Sequence, residues 1–248
     1  MYAQHVMAHH TGTNEPDLDV DLHHMAPIAY HPSMKAYEKL NYGVLFLRNW
    51  VLACLALTVT YPFQLGLGHW FAKVDKVRVR WPVFFDTQKR YWVVNFAAVV
   101  ASLSVYVIPF FRMGGAKAAA FAAFPTFVAS SLFMLFTQVS HIHPETQSEQ
   151  TMGEEDWFKR QATTSMDYST GSHLWSVLSG GLNNQALHHC LPSVSCCHYV
   201  DLYPKFQAVC EKHNVPLYRK PSIWHALKAF LGYINLMNER KDPKATAT

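Results

Sequence analysis

Three groups of residues have types and spacings that suit metal binding. The strongest is Gly180-Gly181-Leu182-Asn183-Asn184-Gln185-Ala186-Leu187-His188-His189-Cys190-Leu191-Pro192. In a helix, Gln185, His188 and His189 fall at i, i+3 and i+4, which aims two imidazoles and an amide oxygen at one point. His188 and His189 diverge by about 100° around the axis, which suits two metals better than one. The second group opens the chain, in Gln4-His5-Val6-Met7-Ala8-His9-His10. His5 and His9 are four apart and share a helical face, and His10 is the next ligand round. A zinc peptidase needs Glu directly after the first His as its base, and here that position is Val6.

The third group is His141 in Thr137-Gln138-Val139-Ser140-His141-Ile142-His143-Pro144. A His at the end of an apolar helix is costly unless paired or bound, so His141 is a candidate ligand, whereas His143 beside Pro144 reads as a loop residue. The acidic run Glu15-Pro16-Asp17-Leu18-Asp19-Val20-Asp21 lacks calcium-loop spacing and reads as a solvated loop. The inventory is His5, His9, His10, His141, Gln185, His188 and His189, more ligands than one tetrahedral zinc can use. Nitrogen donors with an amide oxygen suit iron or zinc, and two metals are implied.

The elements that must position these residues are membrane elements. Charged residues make up 15% of the 248-residue chain and hydrophobic ones 50%, far from a soluble domain. Residues 91 to 111 and 118 to 137 are uncharged and long enough to span, with the turn Arg112-Met113-Gly114-Gly115-Ala116-Lys117 between them. They read as one transmembrane hairpin. The basic loop holding Lys73, Lys76, Arg78, Arg80, Lys89 and Arg90 places both hairpin ends on the cytosolic side. A shared site for the N-terminal histidines and His188/His189 needs an even number of crossings between them. Residues 43 to 60, broken by Arg48 and Asn49, are therefore expected to lie in the interface or re-enter.

The expected architecture is an all-α integral membrane protein, one partial domain over 1–248. It comprises a cytosolic segment (1–42), an interfacial or re-entrant apolar segment (43–72), the hairpin (91–137), a cytosolic His-rich helical cap (138–237) and a polar tail (238–248). The formal net charge of +4 is read as membrane topology, since no nucleic-acid motif occurs. Cys54, Cys190, Cys196, Cys197 and Cys210 form no regular framework and read as reduced thiols. The polar residues 145 to 160 read as an exposed connection, and the region after Pro192 as amphipathic helix to about Met237.

With these residues assembled, the chain resembles the C-terminal part of a membrane front-end fatty acyl desaturase. The stretch from Gln4 to His10, followed by Thr13-Asn14 and Asp17/Asp19, resembles that family's second histidine box. Thr164-Ser165-Met166-Asp167-Tyr168-Ser169, then Leu174-Trp175, Gly180-Gly181-Leu182-Asn183 and Gln185-x-x-His188-His189, resembles its third, and Tyr203-Pro204, Cys210 and Val215-Pro216 are also similar. Ala8 stands where Gly is usual, Asn184 where an aromatic is usual and Leu187 where Glu is common. The first box, the first hairpin and a cytochrome b5 domain are not in this sequence, so a truncated site lacking two ligands is expected.

The resemblance implies O2-dependent desaturation of a polyunsaturated acyl chain at two iron ions held by the seven residues above, with electrons from cytochrome b5 or a fused b5 domain. It implies a fatty acyl-CoA or phospholipid-linked substrate, contact with membrane lipid, no nucleic-acid partner, and an endoplasmic reticulum location with the His clusters facing the cytosol. The alternatives are a lipid hydroxylase with the same site, or a non-catalytic membrane pseudoenzyme or subunit.

Overall fold

A computed structural model describes residues 5, 9–23, 25, 28–34, 43–51 and 92–239. Two long helices, α1 (Trp92–Arg112) and α2 (Gly115–Gln138), follow one another across a two-residue break and lie against each other. Both are apolar, each with one cation near the break between them, Arg112 and Lys117, and Pro109 and Pro125 are accommodated within them. Their large apolar side chains point outward, as Phe96, Val107 and Phe111 do on α1 and Phe121, Phe124, Val128 and Leu132 on α2. Among the described residues, α2 is the one helix that length and composition would allow to cross a membrane.

Beyond α2 the chain forms a cap of short elements. These are α3 (Glu149–Met152), α4 (Trp157–Thr163), β1 (Met166–Tyr168), α5 (His173–Ser179), α6 (Gln185–Cys190), α7 (Tyr199–Lys212), β2 (Tyr218–Lys220) and α8 (Ile223–Asn238). Side-chain caps start three of them: Ser148 on α3, Asp156 on α4 and Ser172 on α5 each accept a backbone N–H. One buried cluster joins the N-terminal segment (Leu22, Met25, Ile28, Tyr30) to the end of α2 (Met134, Phe136) and to α8 (Phe230, Ile234, Met237). A second holds α6 on α7 through Leu187, Tyr199, Tyr203 and Phe206.

The described residues are mostly helical, as expected, with one short strand pair that the all-α expectation lacks. β1 and β2 form a parallel pair in the register Met166↔Tyr218, Asp167↔Arg219 and Tyr168↔Lys220. Each strand is three residues long, too short for any alternation to show, and the pairing is non-local. The exposed-connection reading of 145 to 160 holds for Glu149, Gln150, Gly153 and Glu155 to Phe158 but not for Thr146, Gln147 and Thr151, which are buried. Gln147 Nε2 donates to Tyr30 O (2.9 Å) and Asn14 Oδ1 (3.2 Å), so at this position the polarity serves a loop backbone and a side chain rather than water.

Residues 43–51 are helical, and of the Arg48-Asn49 break Arg48 is exposed while Asn49 faces the protein. Asn49 is buried and donates to Met25 O at 2.9 Å, while Leu45 joins the first core cluster. The remainder of the 43–60 and 43–72 expectations, the basic loop from Lys73 to Arg90, and the tail beyond Glu239 lie outside the described residues.

Candidate metal centre

Six imidazoles and one amide meet at the C-terminal end of α2. His5 and His9 sit in a π-helical turn, closed by His10 N–H donating to His5 O at 2.9 Å, an i→i+5 bond. His141 lies three residues past α2, and α6 carries Gln185, His188 and His189 at the helical spacing expected. Two left-handed glycines, Gly180 (φ 64°) and Gly181 (φ 87°), turn the chain from α5 into the short 3-10 turn before α6.

The side chains sort into two triads, His5/His10/His188 and His9/His141/His189, with donor atoms in each within 4.8 Å of one another. Nε2 of His5 is 3.2 Å from that of His10 and 3.4 Å from that of His188. In the other triad, Nε2 of His9 is 3.3 Å from that of His141. Nitrogens bound at about 2.1 Å and about 90–110° to one ion lie roughly 3.0–3.4 Å apart, so these spacings fit shared ions. The triads adjoin: His10 and His189 stack with ring centroids 4.1 Å apart. Asp21 forms a further group with His5 and His9.

The far nitrogens explain why the Nε2 atoms converge. His9 Nδ1–H donates to Asp19, with both carboxylate oxygens at 3.0 Å. His141 Nδ1–H donates to Thr164 O at 3.0 Å, and His189 Nδ1–H to Gln161 Oε1 at 2.9 Å. His188 Nδ1 lies 3.2 Å from the Tyr199 hydroxyl. A proton fixed on Nδ1 leaves the Nε2 lone pair facing inward, the tautomer a metal needs. Gln185 Nε2 lies 2.8 Å from His141 Nε2. Within the cluster, His189 Nε2, His10 Nδ1 and Gln185 Oε1 are buried and without hydrogen-bond partners. Most buried donors and acceptors in proteins are paired, and His189 Nε2, set within the His9/His141/His189 triad, fits an ion as its missing partner.

The sequence profile described as fatty acid desaturase matches residues 1–221. The chain belongs to the fatty acid desaturase family. It is 32% identical over 232 residues to an acyl-lipid omega-13 desaturase of Chlamydomonas reinhardtii, covering 91% of this chain and 48% of that protein. It is 28% identical over 267 residues to Delta(5) fatty acid desaturase A of Dictyostelium discoideum, covering 96% and 52%. With an acyl-lipid (8-3)-desaturase of Physcomitrium patens the identity is 30% over 248 residues, covering 93% and 48%. The chain thus spans about half the length of the curated relatives it matches. These findings agree with the front-end type that the histidine boxes resemble. No solved structure matches it.

Electrostatics prepare five of the six imidazoles of this desaturase-family chain as neutral donors. Burial, followed by neighbouring histidines, lowers His5 and His188 to about 4 and His10 to about 2. The same causes hold His141 and His189 well below the ordinary range. His9 differs: burial opposes its charge, but the carboxylates of Asp19 and Asp21 raise it to about 9.

Four positioning groups escaped the sequence reading. Asp19 sits in the run taken for a solvated loop but is 1% exposed, because its oxygens accept from Asn14 N (2.8 Å) and Asp21 N (3.0 Å) as well as from His9. Gln161 and Tyr199 were unremarked polar positions on helices, and Thr164 acts through its carbonyl, which no side-chain pattern reveals. The available signal was Asp19 ten residues after a candidate ligand. His143 does lie in the loop after α2, but it is fully buried and donates from Nε2 to Val139 O at 2.6 Å.

Proposed function

We propose that this chain carries a di-iron centre that desaturates a fatty acyl chain with O2. His5, His10 and His188 would hold one ion, and His9, His141 and His189 the other. Gln185 joins the second set: its amide, turned about χ3, brings Oε1 to the position now 2.8 Å from His141 Nε2. The observation that carries this reading is the convergence of the imidazole Nε2 atoms while the described partners occupy the far nitrogens.

An unactivated methylene offers no acidic proton and no leaving group, so side-chain acid and base groups cannot break its C–H bonds. Bound iron supplies the oxygen-activating redox chemistry that such bonds require. Two adjacent methylenes lose one hydrogen each, and O2 with two electrons and two protons from outside becomes two waters. The electrons would come from cytochrome b5 or a fused b5 domain.

The protein's own part is ligation, orientation and exclusion of water. Asp19, Gln161, the Thr164 carbonyl and Tyr199 set the ring planes and tautomers. Asn14 Nδ2, donating to His141 O at 3.0 Å and Thr146 O at 3.2 Å, ties the first His turn to the loop that follows α2. The hairpin α1–α2 would span the endoplasmic reticulum membrane with the cap on the cytosolic face, presenting the centre to an acyl chain carried on CoA or phospholipid.

The test is product analysis. The protein, expressed with whatever flanking sequence it carries in its cell, should add one double bond to a polyunsaturated acyl substrate, seen as a loss of two mass units with a new olefinic position. An oxygenated product without a new double bond would replace this reading with hydroxylation.

A further inference from the structure

Helix α5 presents an apolar face that nothing in the cap covers. Leu174, Val177 and Leu178 are 66%, 79% and 51% exposed and stand at i, i+3 and i+4, which puts them together. The buried Ser176 and Ser179 mark the opposite face, and Trp175 lies at the flank. On that flank runs an open groove of about 750 Å³ lined by Ser169, Thr170, Ser172, Trp175, Arg219 and Lys220. The groove and the apolar face therefore share one short element.

The groove offers three hydroxyls and a net positive charge. Lys220 Nζ pairs with Glu145 at 2.9 Å, whereas Arg219 Nη1 donates to the neutral Gln207 amide at 2.8 Å and makes no ion pair among the described residues. Beyond Pro221, which also borders the groove, Trp224 stands 70% exposed in the first turn of α8. Trp175 is also packed against the core that contains Met134 and Phe136 of α2. The outward stripe Phe121, Phe124, Val128 and Leu132 runs along that same helix.

An apolar face alone would suit a protein partner as well. An apolar face set at the end of a membrane helix, flanked by tryptophans and by a cationic, hydroxyl-lined groove, matches instead the layered chemistry of a bilayer surface: acyl chains, then indole-level interface, then phosphate. We propose that α5 lies in the bilayer interface, with Leu174, Val177 and Leu178 among the acyl chains and a phospholipid phosphate in the groove between Ser169–Ser172 and Arg219–Lys220. The inference rests on the reading of α1–α2 as a transmembrane hairpin. It would fix the height of the cap, and so of the His cluster, above the acyl layer.

Single spin labels test it in bilayers of phosphatidylcholine and phosphatidylglycerol, on the protein with its natural flanking sequence. Labels go on Val177→Cys and on Phe124→Cys, with the exposed Cys196 and Cys197 changed to Ser and background label subtracted. Collisions with lipid-soluble O2 should exceed those with a water-soluble nickel chelate at both sites. Water access at 177 with lipid at 124 would overturn the inference and leave the hairpin standing. Shielding of 177 from both probes would show a protein partner and overturn it too. Water access at 124 would overturn the hairpin and this inference together. In a separate arm, Arg219→Gln with Lys220→Gln should lower the phospholipid retained in native mass spectra by one per chain, and unchanged retention would remove the groove from the proposal.

Discussion

Replacing Asp19 with Asn preserves shape and removes a charge, which isolates what the carboxylate does. Its two oxygens share four contacts: His9 Nδ1 at 3.0 Å from each, Asn14 N at 2.8 Å and Asp21 N at 3.0 Å. An amide has one oxygen, so its NH2 must face one of the two backbone N–H groups and leave that donor buried and unpaired, at about 1–3 kcal/mol. The bond from His9 also loses its ionic component, at about 1.5–3 kcal/mol. Together the substitution should destabilise the metal-free protein by about 3–5 kcal/mol, the range for breaking one side of a buried ion pair. Denaturant titration in mixed micelles with chelator present, followed by tryptophan fluorescence, reads the difference. Affinity for added ferrous iron should fall about 10–100-fold, because His9 loses the group that orients its ring and raises its basicity. A stability change under about 0.5 kcal/mol with unaltered iron affinity would refute the role assigned to Asp19.

The glycines before α6 should respond unequally. A methyl on Gly180 meets nothing within 4 Å, so Gly180→Ala should cost only the left-handed strain of about 1–2 kcal/mol. On Gly181 it would stand 2.5 Å from Cys196 Cβ and 2.9 Å from Tyr199 Cδ2, adding about 1–3 kcal/mol of overpacking. Equal melting-temperature losses would count against the close approach. Tyr203→Phe removes the hydroxyl that donates to buried Asp167 at 2.6 Å and should cost about 1.5–3 kcal/mol at pH 7.5. Burial already raises Asp167 to about 6, so at pH 5 the acid is largely protonated and the loss should shrink. Stability of the metal-free protein should fall as pH drops below 6.5. Burial holds His5, His188 and His143 at about 4, so the unfolded chain binds protons that the native state refuses, at up to about 1.4 kcal/mol per group per pH unit. His9, raised to about 9, works oppositely, its contribution being lost only as pH rises toward 9. A flat stability profile from pH 6.5 to 5 would contradict this balance.

The long helices were legible because twenty uncharged residues leave a chain few choices: 91 to 111 and 118 to 137 became Trp92–Arg112 and Gly115–Gln138. The i, i+3, i+4 face of Gln185, His188 and His189 was equally readable, since α6 keeps α-helical spacing. At the N-terminal group an α-helical face was assumed, whereas His10 N–H bonds to His5 O, an i→i+5 spacing that a rule built on 3.6 residues cannot foresee. Asp19 was misread because charge in a short acidic run normally marks solvent, and it is the imidazole ten residues away, with the backbone N–H groups of Asn14 and Asp21, that makes burial tolerable. Gln161 and Tyr199 become visible only when α4 and α7 bring them to His189 and His188. The β1–β2 pair depends on a contact across half a hundred residues and has no local signature.

X-ray absorption at the iron edge tests the central claim most directly, on the protein with its natural flanking sequence and loaded with ferrous iron. Two irons per chain, each in a shell dominated by imidazole with its outer-ring scattering, are expected, and the imidazole signal should fall on His189→Ala. A single iron, or a shell of oxygen or sulfur donors indifferent to that change, would contradict the paired triads.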